Sequence, residues 1–445
     1  MPEKSGYRLT CCMAVTLAGR GFGHLPIGIA RQVTSSSLMM LLAAATASIG
    51  ALVFPFPTSA QTEKILYSFP KEEYAHPAPG NLLYSNGALF GTVTGSNGAR
   101  PCCGEVFEIF QSDSSWKFHS IYKFIQGSGG HRPSDGLVQD ATGDLYGTTF
   151  SGGTHHRGTV FQLQNSQGTW APEFIWNFSK KVRQGSYPSG HLVIDNNGAL
   201  YGEAGGGSVQ DPGVIFELSQ SGGMWTETVL HKFKGGRDGS GPYGGLLMDS
   251  AGSLWGVTAS GGGSCENPCG TVFHLVQSEG VWNETVVHRF GKGSDGADPL
   301  GALIEDANGN LYGTTFAGGE FSSGTIFEIS PANDGGWTEM VLHDFCSKSG
   351  CADGGEPGAG LTWGPNGSTL YGTAGCGGNS CGNGVVFSLT NSGGVWSETV
   401  VHSFQGEGDG ILPLGAVTVD DKGNLFGTTF EGGQYDLGTI WEIIP

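Results

Sequence analysis

An all-β fold, a closed ring of repeated four-stranded units, is what this sequence predicts, and three observations carry that expectation. First, a short phrase recurs seven times, starting at Leu89, Leu145, Leu200, Leu254, Leu311, Leu370 and Leu425, at intervals of 54 to 59 residues. Each copy has Leu, an aromatic residue and Gly, as in Leu311-Tyr312-Gly313-Thr314-Thr315. Second, each unit holds four short runs rich in β-branched and aromatic residues, separated by turn residues. Third, the last run of the unit occurs in full only six times, and a match to its end, Lys64 to Phe69, stands ahead of the first unit. Together these predict a seven-bladed β-propeller of four-stranded antiparallel blades. An N-terminal strand completes the last blade, so that no sheet edge is left at a break in the ring.

One unit shows why each strand is expected. Gly301 to Glu305 is a short apolar run, strand A, entered at Pro299, where a missing N–H costs least. Asp306-Ala307-Asn308-Gly309 is a hairpin turn, with Asp and Asn for Asx bonds and Gly for positive φ. Leu311 to Thr315 is strand B, and a Gly-rich loop follows from Phe316 to Gly324. Thr325 to Ile329 is strand C, and Trp337 to Phe345 is strand D. The strand order places the B–C and D–A loops on one face. That face carries the long loops, and loops on a rigid scaffold are where function concentrates.

Composition narrows the class. Glycine is 80 of 445 residues without a Gly-X-Y period, which excludes collagen and fits glycine-rich loops. The formal charge is −19, and residues 1–60 carry a net +3 of it, leaving −22 on the remainder. Such a surface repels phosphate backbones, so nucleic acid is excluded as a partner. Residues 1–60 read as a signal peptide or leader. Arg31 precedes an apolar run from Leu38 to Val53, and Thr58-Ser59-Ala60 forms a small-residue cleavage site before Gln61. Residues 61–445 read as a single propeller domain with no membrane span after cleavage. The expected product is a secreted, periplasmic or cell-surface protein, and a monomer.

The cysteines fit export. Beyond the leader they fall as Cys102 and Cys103, Cys265 and Cys269, Cys346 and Cys351, and Cys376 and Cys381. Close pairs in an exported chain read as local disulfides. The connectivity of Cys102 and Cys103 stays open at this point.

The repeat resembles the GloVer (Gloeo/Verruco) tandem repeat of exported bacterial proteins. The residues that carry the resemblance are the Leu-Tyr-Gly-Thr-Thr phrase, the glycine pairs, and runs such as Gly324 to Ile329. Strand D copies such as Trp225 to Phe233 complete it. It covers residues 64 to 445. It implies an exported β-propeller-like repeat protein and assigns no activity.

Two repeated polar positions look functional and read as structural. Two residues before the terminal Phe of strand D stand Tyr67, Tyr122, Trp176, His231, His288, His343 and His402. Tyr and Trp replace His freely, so a planar ring packed between blades is expected, and no residue is assigned to a metal. Asp238, Asp295, Asp353 and Asp409 each precede a proline by four residues, which suits an Asx turn. No cofactor is expected; Ca²⁺ on this acidic ring is the functional alternative to the Asx turn, and zinc is the alternative to disulfides at the cysteine pairs.

Residues that break a repeat are more informative. His191 stands where the other units have Gly or Ala, and Glu203 replaces Thr148 and Thr314 of other blades. They are the catalytic candidates, as base and acid at the channel mouth. His131, Arg132, His155, His156 and Arg157 lie in loops of the same sector and are the ligand-binding candidates. Phe150, Phe316 and Phe430 are expected to offer rings for sugar stacking. No nucleophile elbow, zincin helix, P-loop or dinucleotide fingerprint is present. The favoured reading is a binding scaffold for glycan or protein at the cell surface or in the periplasm. The alternative is a lyase or hydrolase using His191 and Glu203, and enzymatic status is left open, leaning against it.

Overall fold

A computed structural model describes residues 62–70, 76–95, 103–125, 129–179, 185–205, 212–263, 269–291, 294–378, 382–406 and 408–445. The expected leader, Cys102, Cys265 and Cys381 lie outside these residues. Thr62 to Pro445 forms one compact unit.

The fold is a seven-bladed β-propeller, with seven antiparallel sheets and no α-helix among the described residues. The seven phrases form strands B: Ala88–Thr94, Leu145–Gly152, Leu200–Ala204, Leu254–Thr258, Leu311–Thr315, Thr369–Ala374 and Leu425–Thr429. In blade 5 the order is Ile304–Glu305, Leu311–Thr315, Thr325–Pro331 and Trp337–Asp344, each paired with the next. The turn aspartate works as expected. Asp306 Oδ1 accepts from Asn308 N at 2.8 Å and Asn310 N at 2.9 Å, and Tyr312 Oη donates to Oδ2 at 3.2 Å.

Strand A is shorter than the sequence implies. In blade 5 only Ile304 and Glu305 pair with strand B, whereas the run from Gly301 was expected to. Near the axis the backbone of this segment meets the next blade instead. Thr314 Oγ1 donates across the seam to the Ala359 carbonyl at 2.8 Å, and a Cβ on Gly301 would lie 2.4 Å from Ala359 C.

The repeated aromatics form the seams. The first Trp of strand D packs on the strand B aromatic of the preceding blade: Trp116 on Phe426, Trp170 on Phe90, Trp225 on Tyr146, Trp282 on Tyr201, Trp337 on Trp255 and Trp396 on Tyr312. The centroids are 5.0 to 6.5 Å apart. The Phe that ends strand D packs on the strand C aromatic of the following blade, as Phe345 does on Phe387 at 5.2 Å. Edge-on rings of this kind add to the burial of large apolar side chains. The glycine of each phrase is required by the same packing. A Cβ on Gly313 would sit 2.5 Å from Phe327 Cζ.

Thr62–Ser68 pairs antiparallel with Thr439–Ile444, so one sheet holds strands from both ends of the described chain. Phe69 then packs on Phe107 of blade 1 at 6.0 Å.

Candidate functional site

The sector formed by blades 2 and 3 gathers most of the residues singled out by sequence. It has two parts, one at the loop face and one deeper along the inner strands.

At the loop face five blades are stitched alike to the one before them through the residue preceding the strand A proline. Arg132 N donates to the Cys103 carbonyl, Tyr187 N to Arg157, Asp298 N to Cys269, Glu356 N to Ser323 and Leu412 N to Asn383, at 2.7 to 3.0 Å. These five residues hold φ of 56 to 61°, a left-handed conformation that side chains rarely adopt. Repetition around the ring marks it as the geometry of the stitch. The side chains at this position vary: a guanidinium and a phenol, Arg132 and Tyr187, on blades 2 and 3, and carboxyls, Asp298 and Glu356, on blades 5 and 6. Burial pushes Asp298 up to about 6 and also raises Glu356.

Around Arg132 the structure builds a ladder of cations and rings. The Arg132 guanidinium lies over Phe150, 5.4 Å from the ring centroid. Phe150 stacks on Tyr187 at 5.1 Å with 26° between planes. Arg157 lies over Tyr187 at 4.8 Å, and its guanidinium donates to the Tyr187 hydroxyl. Cation–π contacts of this kind orient a guanidinium while leaving N–H donors for another partner. His131 Nδ1 and Ser151 Oγ are 2.9 Å apart. Burial lowers the His131 pKa, and the charges of Arg132 and His156 lower it further. His155 and His156 are exposed in the loop. Phe150, Phe316 and Phe430 are half-buried rather than open stacking platforms, with Phe430 covered by His76 at 4.5 Å.

The deeper part is built on Glu203. In blades 1, 5 and 6 a threonine at this place donates across the seam: Thr92 to the Asp135 carbonyl, Thr314 to Ala359 and Thr373 to Gly415, at 2.8 to 2.9 Å. In blade 3 an acceptor replaces the donor, and the facing peptide is inverted to match. Glu203 Oε2 accepts from Gly245 N at 2.9 Å. Gly245 has φ +84°, which that inverted peptide requires. The His191 ring packs on the same glycine, where an added Cβ would lie 2.5 Å from Nδ1. The strand carrying His191 bulges here, its register shifting between Ser189 and Val193.

Glu203 is only 1% exposed, and its Oε1 has no hydrogen-bond partner among the described residues. Burial pushes its pKa up to about 8; the Gly245 N–H opposes this and the charge of Asp135 adds to it. Asp135 is itself raised by loss of water, while the neighbouring His191 pulls it back. His191 and Glu203 are therefore brought together, and Asp135 joins them. Sequence reasoning missed Asp135. A signal was present, since the aligned residues are Pro79, Gly190, Gly244, Gly301, Ala359 and Gly415.

The disulfide between Cys346 and Cys351 is formed, and Cys103, Cys269 and Cys376 are also disulfide-bonded. Among the described residues no helix is long and apolar enough to cross a membrane.

Fold and site thus define a repeat propeller with one polar, repeat-breaking sector. The chain belongs to the Gloeobacter/Verrucomicrobia repeat family, whose sequence model matches residues 30–267 and 263–445. No curated protein matches it. Among solved structures it is similar to PorZ, a surface component of the type-IX secretion system of Porphyromonas gingivalis. That match has a TM-score of 0.51 at 12% identity and covers 84% of this chain and 47% of PorZ. It is also similar to a polysaccharide lyase, an ulvan lyase, with a TM-score of 0.51 at 12% identity, covering 83% of this chain and 94% of the lyase. A putative 6-phosphogluconolactonase from Bacteroides uniformis matches with a TM-score of 0.48 at 15% identity, covering 78% and 88%. At these identities the likeness is one of fold.

Proposed function

We propose that this protein is an exported binding scaffold that takes an acidic glycan at the loop face of blades 2 and 3. The observation that carries the reading is the ladder Arg132–Phe150–Tyr187–Arg157. On a chain of net charge −19, two guanidiniums held over a stacked ring pair form a local anion site. Rings at such a site complement the apolar faces of a sugar, and guanidiniums complement its carboxylate or sulfate. Export is supported by the Cys346–Cys351 disulfide and by the leader read in residues 1–60.

A second reading rests on a separate observation. A buried carboxyl with a pKa of about 8, beside an imidazole and a second carboxyl, is suited to proton transfer. Glu203 would act as acid and His191 as base in a lyase or hydrolase.

One experiment serves both. Uronate-bearing and sulfated oligosaccharides, with neutral ones as controls, are titrated calorimetrically into the protein while products are followed by chromatography. Binding of the acidic set, weakened at least about tenfold in Arg132→Ala and Arg157→Ala, supports the scaffold. Product formation lost in His191→Ala supports the enzyme. Absence of binding to every acidic oligosaccharide rejects the glycan reading.

A further inference from the structure

In the sequence the aspartates of the Asp-Gly turns and the histidines of strand D are separate repeated positions. The structure joins them. His231 Nε2 lies 3.4 Å from Asp238 Oδ2, His288 3.3 Å from Asp295, His343 3.4 Å from Asp353, and His402 3.1 Å from Asp409. A third member comes from the strand D of another blade. Glu284 of blade 4 completes a cluster with His231 and Asp238, and Glu63, in the strand that pairs with Thr439–Ile444, completes one with His402 and Asp409. In each of these two clusters one atom from each residue lies within 4.8 Å of the other two.

We propose that His231–Asp238–Glu284 and His402–Asp409–Glu63 are two equivalent binding sites for a divalent transition-metal ion of zinc character, each seated in a seam between blades. The ligand set is one imidazole and two carboxylates, the mixed N/O set that zinc accepts, with a fourth position for water. Two ligand atoms on one tetrahedral zinc stand about 3.3 Å apart, since each bond is about 2.0 to 2.1 Å. The His231–Asp238 separation of 3.4 Å is close to that spacing; at the second site His402 Nε2 stands 3.1 Å from Asp409 Oδ2, within hydrogen-bond reach, and 3.6 Å from Glu63 Oε2. His231 Nε2 is buried without a hydrogen-bond partner, as are Oε1 of Glu284 and Oε1 of Glu63.

The repeat supplies its own control. At the seam between blades 5 and 6 the corresponding residues are His343, Asp353 and Glu398, and there a cation is built in. Lys348 Nζ lies 2.6 Å from Glu398 Oε2, a carboxylate only 2% exposed. That seam holds the same imidazole and two carboxylates with an ammonium added, and a fourth seam has His288, Asp295 and Glu339 at the same repeat positions; the sets with Glu284 and Glu63 are the ones whose three ligand atoms draw within 4.8 Å of one another. Two carboxylates and an imidazole drawn together in a seam leave charge uncompensated until a cation joins them. Each seam site would carry no net charge once a divalent ion joins two carboxylates.

The test is zinc stoichiometry on the purified, untagged protein after chelator dialysis, by equilibrium dialysis with elemental analysis. Two zinc ions per chain are expected. Glu284→Gln and Glu63→Gln should each bind one, and the double variant none. Gln fills nearly the same volume, and folding is verified by near-ultraviolet circular dichroism. Cobalt(II) in place of zinc should give the visible absorption of a four-coordinate site, halved in each single variant. A wild-type protein that binds no zinc overturns the proposal. So does a folded double variant that still binds two, because the ions then sit elsewhere.

Discussion

At the residue scale, Glu203 shows how one substitution reverses a local polarity. Threonine donates across the seam in three other blades, whereas Glu203 accepts, and the facing peptide turns over at Gly245. The cost of this arrangement has a pH signature. A carboxyl whose pKa is higher in the folded than in the unfolded state holds its proton better when folded. Its contribution is therefore full below the ordinary value of 4.5 and is lost as pH rises to about 8. Over that window Glu203 should lose stability on the order of a few kcal/mol. Melting temperatures of wild type and Glu203→Gln should differ little near pH 4.5 and diverge towards pH 8, with the variant the more stable. Parallel pH profiles would contradict it. Glu203 and His191 were legible in the sequence because each is large and polar where its counterparts are small or neutral. Asp135 carries the same kind of signal against Pro79, Gly190 and Gly301, but the carboxyl and imidazole it meets come from the neighbouring blade and show only in the fold.

At the element scale, the strands follow from the repeat and their limits do not. Strands B, C and D appear near where β-branched and aromatic runs predict them, for example Leu311–Thr315 and Trp337–Asp344. Strand A contracts to two residues in blades 4 to 7, and in blades 6 and 7 its entry bonds to the adjacent blade instead. The seam clusters escaped sequence reading for a similar reason. Glu284 lies in the unit after His231, so no single repeat displays the pair. The glycine of the recurring phrase can be tested directly. Gly313→Ala would drive a methyl against Phe327 Cζ, and denaturant unfolding should show a loss of about 1 to 3 kcal/mol. Unchanged stability would mean that Phe327 can swing away without loss.

At the scale of the whole molecule, the place to test the ring is the first described strand. Thr62–Ser68 covers Thr439–Ile444, and Phe69 reaches onward to Phe107. Deleting residues 62–69 would expose the backbone N–H and C=O groups of the last strand along its length, a template for intermolecular pairing. Such a variant should run as oligomers or aggregates in size-exclusion chromatography, where the intact chain is expected to run as a monomer. A monodisperse monomeric variant would show that closure does not need this strand.

The pairing of Thr62 with Ile444 has a consequence for how the chain can be ordered. The covalent break in the ring falls between strands C and D of blade 7, where blades 3 and 6 have tight turns through Gly222-Gly223 and Gly393-Gly394. Those turn glycines face open space, and nothing packs on them. The ring therefore has no privileged origin. A circular permutant with a short glycine turn across the natural break and new ends at Gly222 or Gly393 keeps every seam intact. In such a permutant blades 7 and 1 become consecutive within the chain and the break moves into blade 3 or blade 6, without any blade changing its neighbours.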